Sequence, residues 1–286
     1  MQVKWWTQPC CCGPRKLITM KLNSMTKKIA IIGGGNLGVA IAEGLIKSGF
    51  TLPEHIIITR RNIRALEEIE RKGVLVTSNN AEAVQYADTI IVAVKPFQIR
   101  DVMEGLREQL QPQRHLVVSV VTGIFIKDMQ EWVGAEMPLV RAMPNTAIAI
   151  QESMTCICAK NTSADQMDYV HDLFSQLGRV ALIEEKLMDA STVLGACGIA
   201  FALRYIRASI QGGIEIGFDA KTATLIAAQT VNGAAELLIQ KGTHPEAEID
   251  KVTTPRGCTI AGLNEMEHRG FSSSLIRGIR ASYDSI

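Results

Sequence analysis

The stretch that decides the fold is Ile29-Ala-Ile-Ile32-Gly33-Gly-Gly35-Asn-Leu-Gly38, in which an apolar run ends in closely spaced glycines. The apolar run is typical of a buried strand, and the residue spacing from Asn36 to Ser48 predicts a helix directly after it. In such a G-x-G-x-x-G pattern, Gly33 permits a tight turn, Gly35 lets a phosphate approach the backbone, and Gly38 lets helix and strand pack closely. This context predicts a dinucleotide site at the helix N-terminus. A purely structural glycine turn is the alternative.

The end of the next predicted strand indicates which dinucleotide binds. Ile56-Ile-Ile-Thr59 is followed by Arg60 and Arg61, where an NAD site would place an acidic residue for the ribose hydroxyls. A carboxylate repels a 2′-phosphate, whereas a guanidinium group binds it bidentately. The arginines therefore favour NADPH, with NADH as a second candidate. A solvated pair of loop arginines is the alternative.

Two further strand ends add candidates for the cofactor site. Ala93-Val-Lys95-Pro96 ends one predicted strand, and Met143-Pro-Asn145-Thr146 ends a later one. Open parallel sheets bind ligands at these carboxyl ends. We expect Lys95 to reach the nucleotide or to cap its strand, and Asn145 to hydrogen-bond on the nicotinamide side. The predicted cofactor-binding residues are Gly33, Gly35, Asn36, Leu37, Gly38, Thr59, Arg60, Arg61, Ala93, Val94, Lys95, Pro96 and Asn145.

Strand runs and amphipathic stretches alternate from Lys28 to about Ile183, which predicts a parallel sheet covered by helices on both faces. Beyond that point, 186–216 and 221–241 are long helical stretches without a convincing strand. We therefore predict an α/β fold in which a doubly wound, Rossmann-type NADP-binding domain occupies 26–183. An all-helical domain for dimerisation and substrate binding occupies 184–286, and a disordered leader occupies 1–25.

The helical stretches carry apolar residues on most of their faces, so they must be buried on most sides. Roughly a hundred residues of helix cannot easily bury themselves, and a second copy of the chain is the simplest cover. The glycines at 195, 198, 212 and 213 would allow helices to approach closely. We predict a homodimer through the C-terminal half. A monomer whose helices pack only on the sheet domain is the alternative.

Composition limits the other classes of function. The chain has 286 residues, of which 47% are hydrophobic and 21% charged, and a net charge of +1. This balance gives no electrostatic reason to expect nucleic acid or a membrane surface as partner, and no apolar run approaches the roughly 20 residues of a membrane span. Seven scattered cysteines indicate a reducing, cytoplasmic compartment rather than a disulfide framework. Cys10, Cys11 and Cys12 lack a matching ligand pair, so we expect no metal.

The stretch Asp250–Glu265 contains a loop rich in hydroxyl groups and glycine, Thr254-Pro-Arg-Gly257-Cys-Thr259, which runs into a helix beginning near Cys258 or Thr259. The backbone N–H groups and threonine hydroxyls of such a loop can hold a carboxylate. A capped helix start explains the pattern equally well.

This loop resembles the signature of the pyrroline-5-carboxylate reductases, whose usual form is close to Val-Thr-Ser-Pro-Gly-Gly-x-Thr. The glycine loop, the motifs at 93–96 and 143–146, and the helical C-terminal half also occur in the family's order, from Lys28 onward. The resemblance implies NADPH-dependent reduction of 1-pyrroline-5-carboxylate to L-proline, the last step of proline biosynthesis. It also implies a dimer, often assembled into rings of dimers. Substrate binding then falls to Thr254, Gly257, Cys258 and Thr259, with Thr259 near the ring nitrogen as the candidate catalytic residue.

Two departures from the family pattern concern the substrate. Where the family usually has Ser-Gly-Ser-Gly-Pro-Ala-Tyr, this chain has Gly195-Ala-Cys-Gly-Ile-Ala-Phe201, and Arg256 replaces a usual glycine. A related imine or 3-hydroxyacid reductase and a non-catalytic NADP-binding paralogue are therefore rival hypotheses. The alcohol chemistry typically needs a lysine on the first long helix, but only Lys186 lies near its start. None of the five histidines belongs to an evident catalytic pair, and we expect none to be catalytic.

Overall fold

The computed structural model describes residues 27–286, which form two compact units that divide between Ala196 and Cys197. The predicted leader at 1–25 and its three adjacent cysteines lie outside the described residues. The predicted domain boundary at 183/184 remains a prediction.

The first unit contains one eight-stranded sheet in the order β3-β2-β1-β4-β5-β6-β7-β8. The first five strands in that order, together with β6, are mutually parallel, which confirms the predicted Rossmann-type α/β class. Because β1 lies between β2 and β4, the strand order reverses beside β1, and ligands bind at such a switch point. The strands are β1 (Ile29–Ile32), β2 (Ile56–Thr59), β3 (Leu75–Thr77), β4 (Thr89–Val92), β5 (Leu116–Ser119), β6 (Leu139–Met143), β7 (Ser153–Lys160) and β8 (Gly178–Leu182).

The sheet departs from the predicted all-parallel pattern at β7, which runs antiparallel to β6. The connection between them is short and contains a 3₁₀ helix at Thr146–Ile150. A parallel crossover needs about a dozen residues or more, so this chain turns back beside β6 instead. The β8 strand then returns parallel to β7.

Helices cover both faces of the sheet, and each face has its own apolar cluster. Between β2 and β3 lies a 3₁₀ turn at Ile63–Leu66 followed by one α-helical turn. Further 3₁₀ turns lie at Pro53–His55, Pro96–Gln98 and Glu185–Leu187. The α-helices of this unit are α1 (Asn36–Lys47), α2 (Glu67–Glu70), α3 (Asn80–Tyr86), α4 (Ile99–Leu106), α5 (Ile126–Val133), α6 (Ala164–Ser175) and α7 (Met188–Ser191).

The long helix predicted over 186–216 is interrupted. One π-helical turn at Thr192–Cys197 separates α7 from the next α-helix, and such π turns often lie at functional sites. The helices of the second unit are α8 (Gly198–Glu215), α9 (Ala220–Lys241), α10 (Pro245–Val252), α11 (Cys258–His268) and α12 (Phe271–Tyr283). The second unit is all-helical, as predicted.

One helical stretch in the described part of the chain, Glu185–Glu215, is long and apolar enough to cross a membrane by length and composition. The sequence prediction did not anticipate this stretch, because it judged continuous apolar runs rather than the average over a helix. Only 11% of its apolar window is buried within this single copy. The expectation of no membrane partner therefore remains a prediction.

Candidate functional site

The glycine loop closes tightly on the ends of two strands. A Cβ atom at Gly33 would lie 2.5 Å from the carbonyl oxygen of Ala93, and the φ angle of Gly33 is +112°. A Cβ atom at Gly38 would lie 2.3 Å from the carbonyl oxygen of Gly33. Only glycine fits at either position, because the backbone carbonyls cannot move away, and at Gly33 the φ angle is also one that side chains rarely adopt. These contacts hold the start of α1 against the ends of β1 and β4.

The third glycine leaves space where a phosphate would bind. No described atom lies within 4 Å of a Cβ built on Gly35, and Gly35, as the N-cap of α1, provides no side-chain cap in the described structure. Gly35 and Asn36 are exposed, whereas Leu37 is half-buried against the core. The first N–H groups of α1 therefore face open space, which suits an anion.

Thr59 and Arg60 tie the end of β2 to the same loop. The Thr59 hydroxyl accepts a hydrogen bond from the Gly33 N–H at 3.3 Å, and Arg60 Nη1 donates to the Gly34 carbonyl at 2.9 Å. Within residues 27–286, the Arg60 guanidinium makes no further hydrogen bond, which leaves its other N–H groups for a ligand, and Arg61 beside it is exposed. Two cationic side chains thus lie at the carboxyl end of β2.

Ala93, Val94, Lys95 and Pro96 leave the end of β4 next to β1. The Ala93 N–H donates to the Ile32 carbonyl at 2.8 Å, which extends the pairing beyond the strand. Lys95 and Pro96 are exposed at the same edge as Arg60. The structure therefore brings these candidates and the glycine loop together at one edge of the sheet.

Asn145 is placed differently from the expectation that its amide is free. Its Oδ1 accepts from the Ala147 N–H at 3.0 Å, and its Nδ2 donates to the Gly195 carbonyl at 3.2 Å. Asn145 is only 8% exposed, and its own N–H donates to the Ser153 hydroxyl at 3.0 Å. The side chain thus joins the end of β6 to the π turn.

A partly buried ion pair joins Arg141 of β6 to the segment after β8. The Arg141 side chain, which is 3% exposed, donates from Nη1 to Glu185 Oε1 at 2.9 Å, and its Nη2 lies 3.9 Å from Asp189 Oδ1. The same Glu185 oxygen accepts from the Ile126 N–H at 2.6 Å. The ion pair therefore holds the segment that contains Glu185 and Asp189, just before the π turn, against the sheet.

The substrate candidates form a separate cluster in the helical unit. Thr254 to Gly257 make a turn in which the Thr254 carbonyl accepts from the Gly257 N–H at 2.9 Å. Arg256, the third residue of the turn, has a φ of +63°. A turn with proline second and a positive φ third is of type II, which favours glycine at that position. The structure thus gives a backbone reason for the glycine that the family usually has there.

The turn leads directly into α11, which begins at Cys258 with Gly257 as its N-cap. In the described structure this helix start has no side-chain cap, just as α1 has none. A Cβ at Gly257 would lie 2.6 Å from the Thr254 hydroxyl oxygen, so the two residues are in close contact. Thr254 and Cys258 are exposed, and Thr259 is half-buried. Among the other α-helices of the described residues, four starts are capped by the side chains of Asn79, Ser163, Asp219 and His244. The starts of α2, α4, α7, α8 and α12 have no side-chain cap either.

The buried thiols of β7 are unsuited to nucleophilic chemistry. Burial, and next the charge of Glu185, raise the pKa of Cys158 to about 11. Burial also raises the pKa of Cys156. Both side chains belong to one apolar cluster, on one face of the strand. A protonated thiol is a poor nucleophile and a poor metal ligand.

Within residues 27–286, no group of three or more His, Cys, Asp or Glu side chains is placed to hold a metal ion. The expectation of no metal remains a prediction. Three residues near the nucleotide candidates were missed by sequence reasoning. Thr77 ends β3 as Thr59 ends β2, Glu82 hydrogen-bonds to Thr77, and Phe97 is 81% exposed beside Pro96. The threonine at the end of β3 was the sequence feature that could have indicated these residues.

Two family models match the chain. Residues 28–123 match a family described as NADP oxidoreductase, coenzyme F420-dependent. Residues 185–286 match a family described as pyrroline-5-carboxylate reductase dimerisation. The two matches fall in the sheet region and in the helical region respectively.

Curated relatives match most of the chain. Pyrroline-5-carboxylate reductase 1 of Dictyostelium discoideum is 44% identical over 90% of this chain, although the chain spans only about half of that relative, 48% of its length. Pyrroline-5-carboxylate reductase 2 of the same organism is 42% identical over 88% of this chain and 90% of its own length. The full-length match extends across both units.

A solved structure agrees with this relationship. Plasmodium falciparum pyrroline carboxylate reductase, whose crystal structure has NADP bound, is 25% identical with a TM-score of 0.81. The match covers 91% of this chain and 97% of that one. The fold, the family models and the curated relatives agree, and the chain belongs to the pyrroline-5-carboxylate reductase family.

Proposed function

We propose that this chain reduces the C=N bond of 1-pyrroline-5-carboxylate with NADPH and thereby forms L-proline. The observation that carries this proposal is the match, over nearly the whole of both chains, to a relative named pyrroline-5-carboxylate reductase. The glycine loop and the arginines after β2 fit a phosphorylated dinucleotide. The turn at 254–257 fits a small carboxylate.

Each nucleotide candidate has a role that its geometry supports. The open N-terminus of α1 receives the pyrophosphate at Gly35, Asn36 and Leu37, because its N–H groups face empty space. Arg60 and Arg61 bind the 2′-phosphate. Ala93, Val94, Lys95 and Pro96 lie beside β1 at the switch point and line the side toward the nicotinamide. The contacts of Asn145 fit a residue that positions the chain around the cofactor, rather than one that binds it.

The substrate carboxylate is held at the uncapped start of α11 in this proposal. The N–H groups of Cys258 and Thr259 and the Thr254 hydroxyl are donors, and the helix N-terminus adds partial positive charge. The Thr259 hydroxyl is assigned to the ring nitrogen, as the family resemblance implies. Arg256 adds a cation next to the same turn.

The chemistry asks little of acid–base groups. Bound NADPH supplies the hydride that adds to the imine carbon, while the imine nitrogen takes a proton from water or already carries it. The chain's own residues hold the two reactants in register and limit the access of water, which can supply much of the rate. This division of labour suits a site whose candidate residues are hydroxyls, backbone groups and cations.

The exposed apolar residues of the helical unit support a homodimer, and larger rings of dimers are the finer proposal. Leu203, Ile216 and Leu225 are each more than half exposed in the single copy. A second copy would remove this surface from water at a gain of about 25 cal/mol per Å². Sedimentation velocity of the purified chain measures the assembly, and a monomer at micromolar concentration contradicts the proposal.

We also propose a cytoplasmic location, with neither a membrane nor nucleic acid as a partner. The four cysteines in the described part of the chain are free, which suits a reducing compartment. Fractionation of cells that express the tagged chain tests this proposal. Recovery in the membrane pellet after a salt wash contradicts it and points to the stretch Glu185–Glu215.

The deciding experiment follows NADPH absorbance with and without 1-pyrroline-5-carboxylate. Loss of NADPH with formation of proline supports the proposal. Loss of NADPH with a 3-oxoacid instead, or formation of NADPH from NADP+ with a 3-hydroxyacid, supports the related alcohol reductase. Binding of NADPH without turnover of either compound indicates a non-catalytic paralogue.

The substrate assignment has its own test in Thr259→Ala. We expect turnover to fall at least tenfold while the dissociation constant of NADPH changes less than twofold, because the hydroxyl is assigned to the substrate alone. The matched control is Thr224→Ala, whose exposed hydroxyl donates to the Ala220 carbonyl on α9. Equal loss of turnover and NADPH binding, or no loss of either, would mean that the substrate site is misplaced.

A further inference from the structure

The carboxylate of Glu82 is fixed beside the end of β2. Thr59 of β2 pairs with Thr77 of β3, and the Arg60 N–H donates to the Thr77 carbonyl at 3.1 Å. The Thr77 hydroxyl donates to Glu82 Oε2 at 2.7 Å. Thr77 lies one strand spacing, about 4.8 Å, from β2, whose end leads into Arg60 and Arg61. The Glu82 carboxylate is one hydrogen bond away from Thr77.

The local geometry restricts where this side chain can go. Asn79 caps α3 by accepting from the N–H groups of Ala81 and Glu82, and the Asn79 N–H itself donates to the Thr77 hydroxyl oxygen at 3.1 Å. That hydroxyl thus links the cap to the carboxylate. Within residues 27–286, no lysine or arginine forms an ion pair with Glu82. Glu82 is exposed, and its described contact is with the Thr77 hydroxyl beside the start of α3.

Both the position of the Glu82 carboxylate and its negative charge bear on how the cofactor binds. The ends of parallel strands β2 and β3 share one edge, so an anion held by Arg60 and Arg61 would lie roughly two strand spacings, about 10 Å, from Glu82. The Debye length is about 10 Å at 0.1 M salt and longer in more dilute salt. A 2′-phosphate carries nearly two negative charges. The unphosphorylated ribose of NADH carries none, and the pyrophosphate charges are common to both cofactors and assigned to the start of α1, one strand further from β3. The carboxylate therefore distinguishes the two cofactors mainly through the 2′-phosphate.

We propose that Glu82 is a specificity-determining residue that opposes Arg60 and Arg61. Its charge weakens the binding of NADPH and leaves that of NADH nearly unchanged, so the preference for the phosphorylated cofactor is smaller than the arginines alone would produce. The inference rests on the proposed nucleotide site after β2.

The test measures dissociation constants of NADPH and NADH for the full chain by fluorescence titration. Glu82→Gln retains an acceptor for the Thr77 hydroxyl and removes the charge. At low ionic strength we expect it to tighten NADPH by roughly threefold to tenfold, as Coulomb's law gives for such a separation in a watery environment. The constant for NADH should change less than twofold. High salt should reduce the increase in NADPH affinity that Glu82→Gln produces.

Two further variants separate position from charge. Thr77→Val removes the hydroxyl that fixes the carboxylate, so it should tighten NADPH in the same direction but less. Glu108→Gln is the matched control, since Glu108 is exposed in the loop before β5, toward the edge where the strands begin. A preference unchanged within twofold in Glu82→Gln, or an equal shift in Glu108→Gln, overturns the inference.

The double variant Arg60→Ala with Arg61→Ala is measured alongside. It should weaken NADPH much more than NADH. If it does and Glu82→Gln has no effect, only this inference fails. If the arginines make no difference to either cofactor, the proposed phosphate site itself is wrong and the inference fails with it.

Discussion

The sheet unit and the helical unit bury their apolar residues to very different extents. Every residue of β1, β2, β4, β5 and β6 is buried. In the helical unit, Cys197–Ile286, only Ala223 and Ala227 are buried apolar residues, although the helices are rich in leucine and isoleucine. The first unit therefore has a complete core of its own. The helical unit has the apolar composition of a core, but its apolar residues are exposed in the single copy. This is what one side of a protein–protein interface looks like before its partner binds.

The comparison predicts that packing changes in the sheet unit act strongly on the single chain. In Gly38→Ala the new methyl group meets the Gly33 carbonyl oxygen, so the free energy of unfolding should fall by about 3 kcal/mol. Nucleotide affinity should fall with it. Urea unfolding followed by circular dichroism measures the first effect.

The control for this change is Gly105→Ala. Gly105 lies in α4, and no described atom lies within 4 Å of its added Cβ. Stability should be unchanged or rise by up to about 1 kcal/mol, because alanine is the better helix former. Comparable losses in both variants would show that the close contact at Gly38 is not the cause.

In the helical unit, a change on the surface of one copy should instead act on assembly. Leu225 is 70% exposed on α9. If a second copy covers it, Leu225→Glu buries a charge and should weaken dimerisation by about 2 kcal/mol, roughly thirtyfold. Sedimentation equilibrium measures the dissociation constant. Leu52→Glu, a 41% exposed leucine of the sheet unit, should leave assembly unchanged, and dimers of equal strength in both variants contradict the comparison.

The sheet unit should also carry a pH dependence that comes from its core. Burial, and next the charge of Arg114, lower the pKa of His115, whose side chain is 1% exposed. The folded state thus favours neutral imidazole, while the unfolded chain binds the proton near pH 6.5. Stability is full above that pH and is lost as the pH falls through it toward the lower folded pKa.

Urea midpoints between pH 8 and pH 5 test this prediction. His115→Asn keeps an acceptor for the Gln111 N–H and should flatten the fall between pH 7 and pH 5, at some cost in overall stability. The exposed His268 supplies the control, since His268→Asn should retain the slope of the parent chain. A parent-like slope in His115→Asn means that another group is responsible.

The smallest predicted effect concerns the turn at Arg256. Arg256→Gly relieves the left-handed backbone conformation and should stabilise the chain by about 1 kcal/mol or less. Arg256→Ala keeps the unfavourable φ and removes only the side chain, so it should not stabilise. A weaker affinity for the substrate in both variants, measured as KM, would assign the guanidinium a role in carboxylate binding.

The sequence was most informative where the signal is local. The bounds of β1 and β2 were predicted correctly because apolar runs end there at glycines or arginines. The direction of β7 was missed, since the length of the preceding turn, not the strand's composition, decides it. The engaged amide of Asn145 could not be foreseen either, because its partner at Gly195 is distant in sequence.

Two of the uncapped helix starts, those of α1 and α11, show how far the candidate site was predictable. Glycine before Asn36 and before Cys258 was visible in the sequence, and both helices do begin there without a side-chain cap in the described structure. Glu82 was not visible as a candidate, because its relevance comes from pairing between β2 and β3. Local motifs thus identified the groups that attract ligands, while the opposing charge required the sheet register.

The glycine that opens β8 bears on how a saturation mutagenesis map of this enzyme should be interpreted. A Cβ at Gly178 would lie 2.0 Å from the Ser153 carbonyl oxygen, and the φ angle of Gly178 is +140°. Every substitution there should be eliminated by selection, although the residue belongs to neither candidate cluster. Failure of all substitutions at Gly178 would reflect the close packing of β8 against β7. A survey that assigns every mutation-sensitive residue to the active site would therefore misplace that site.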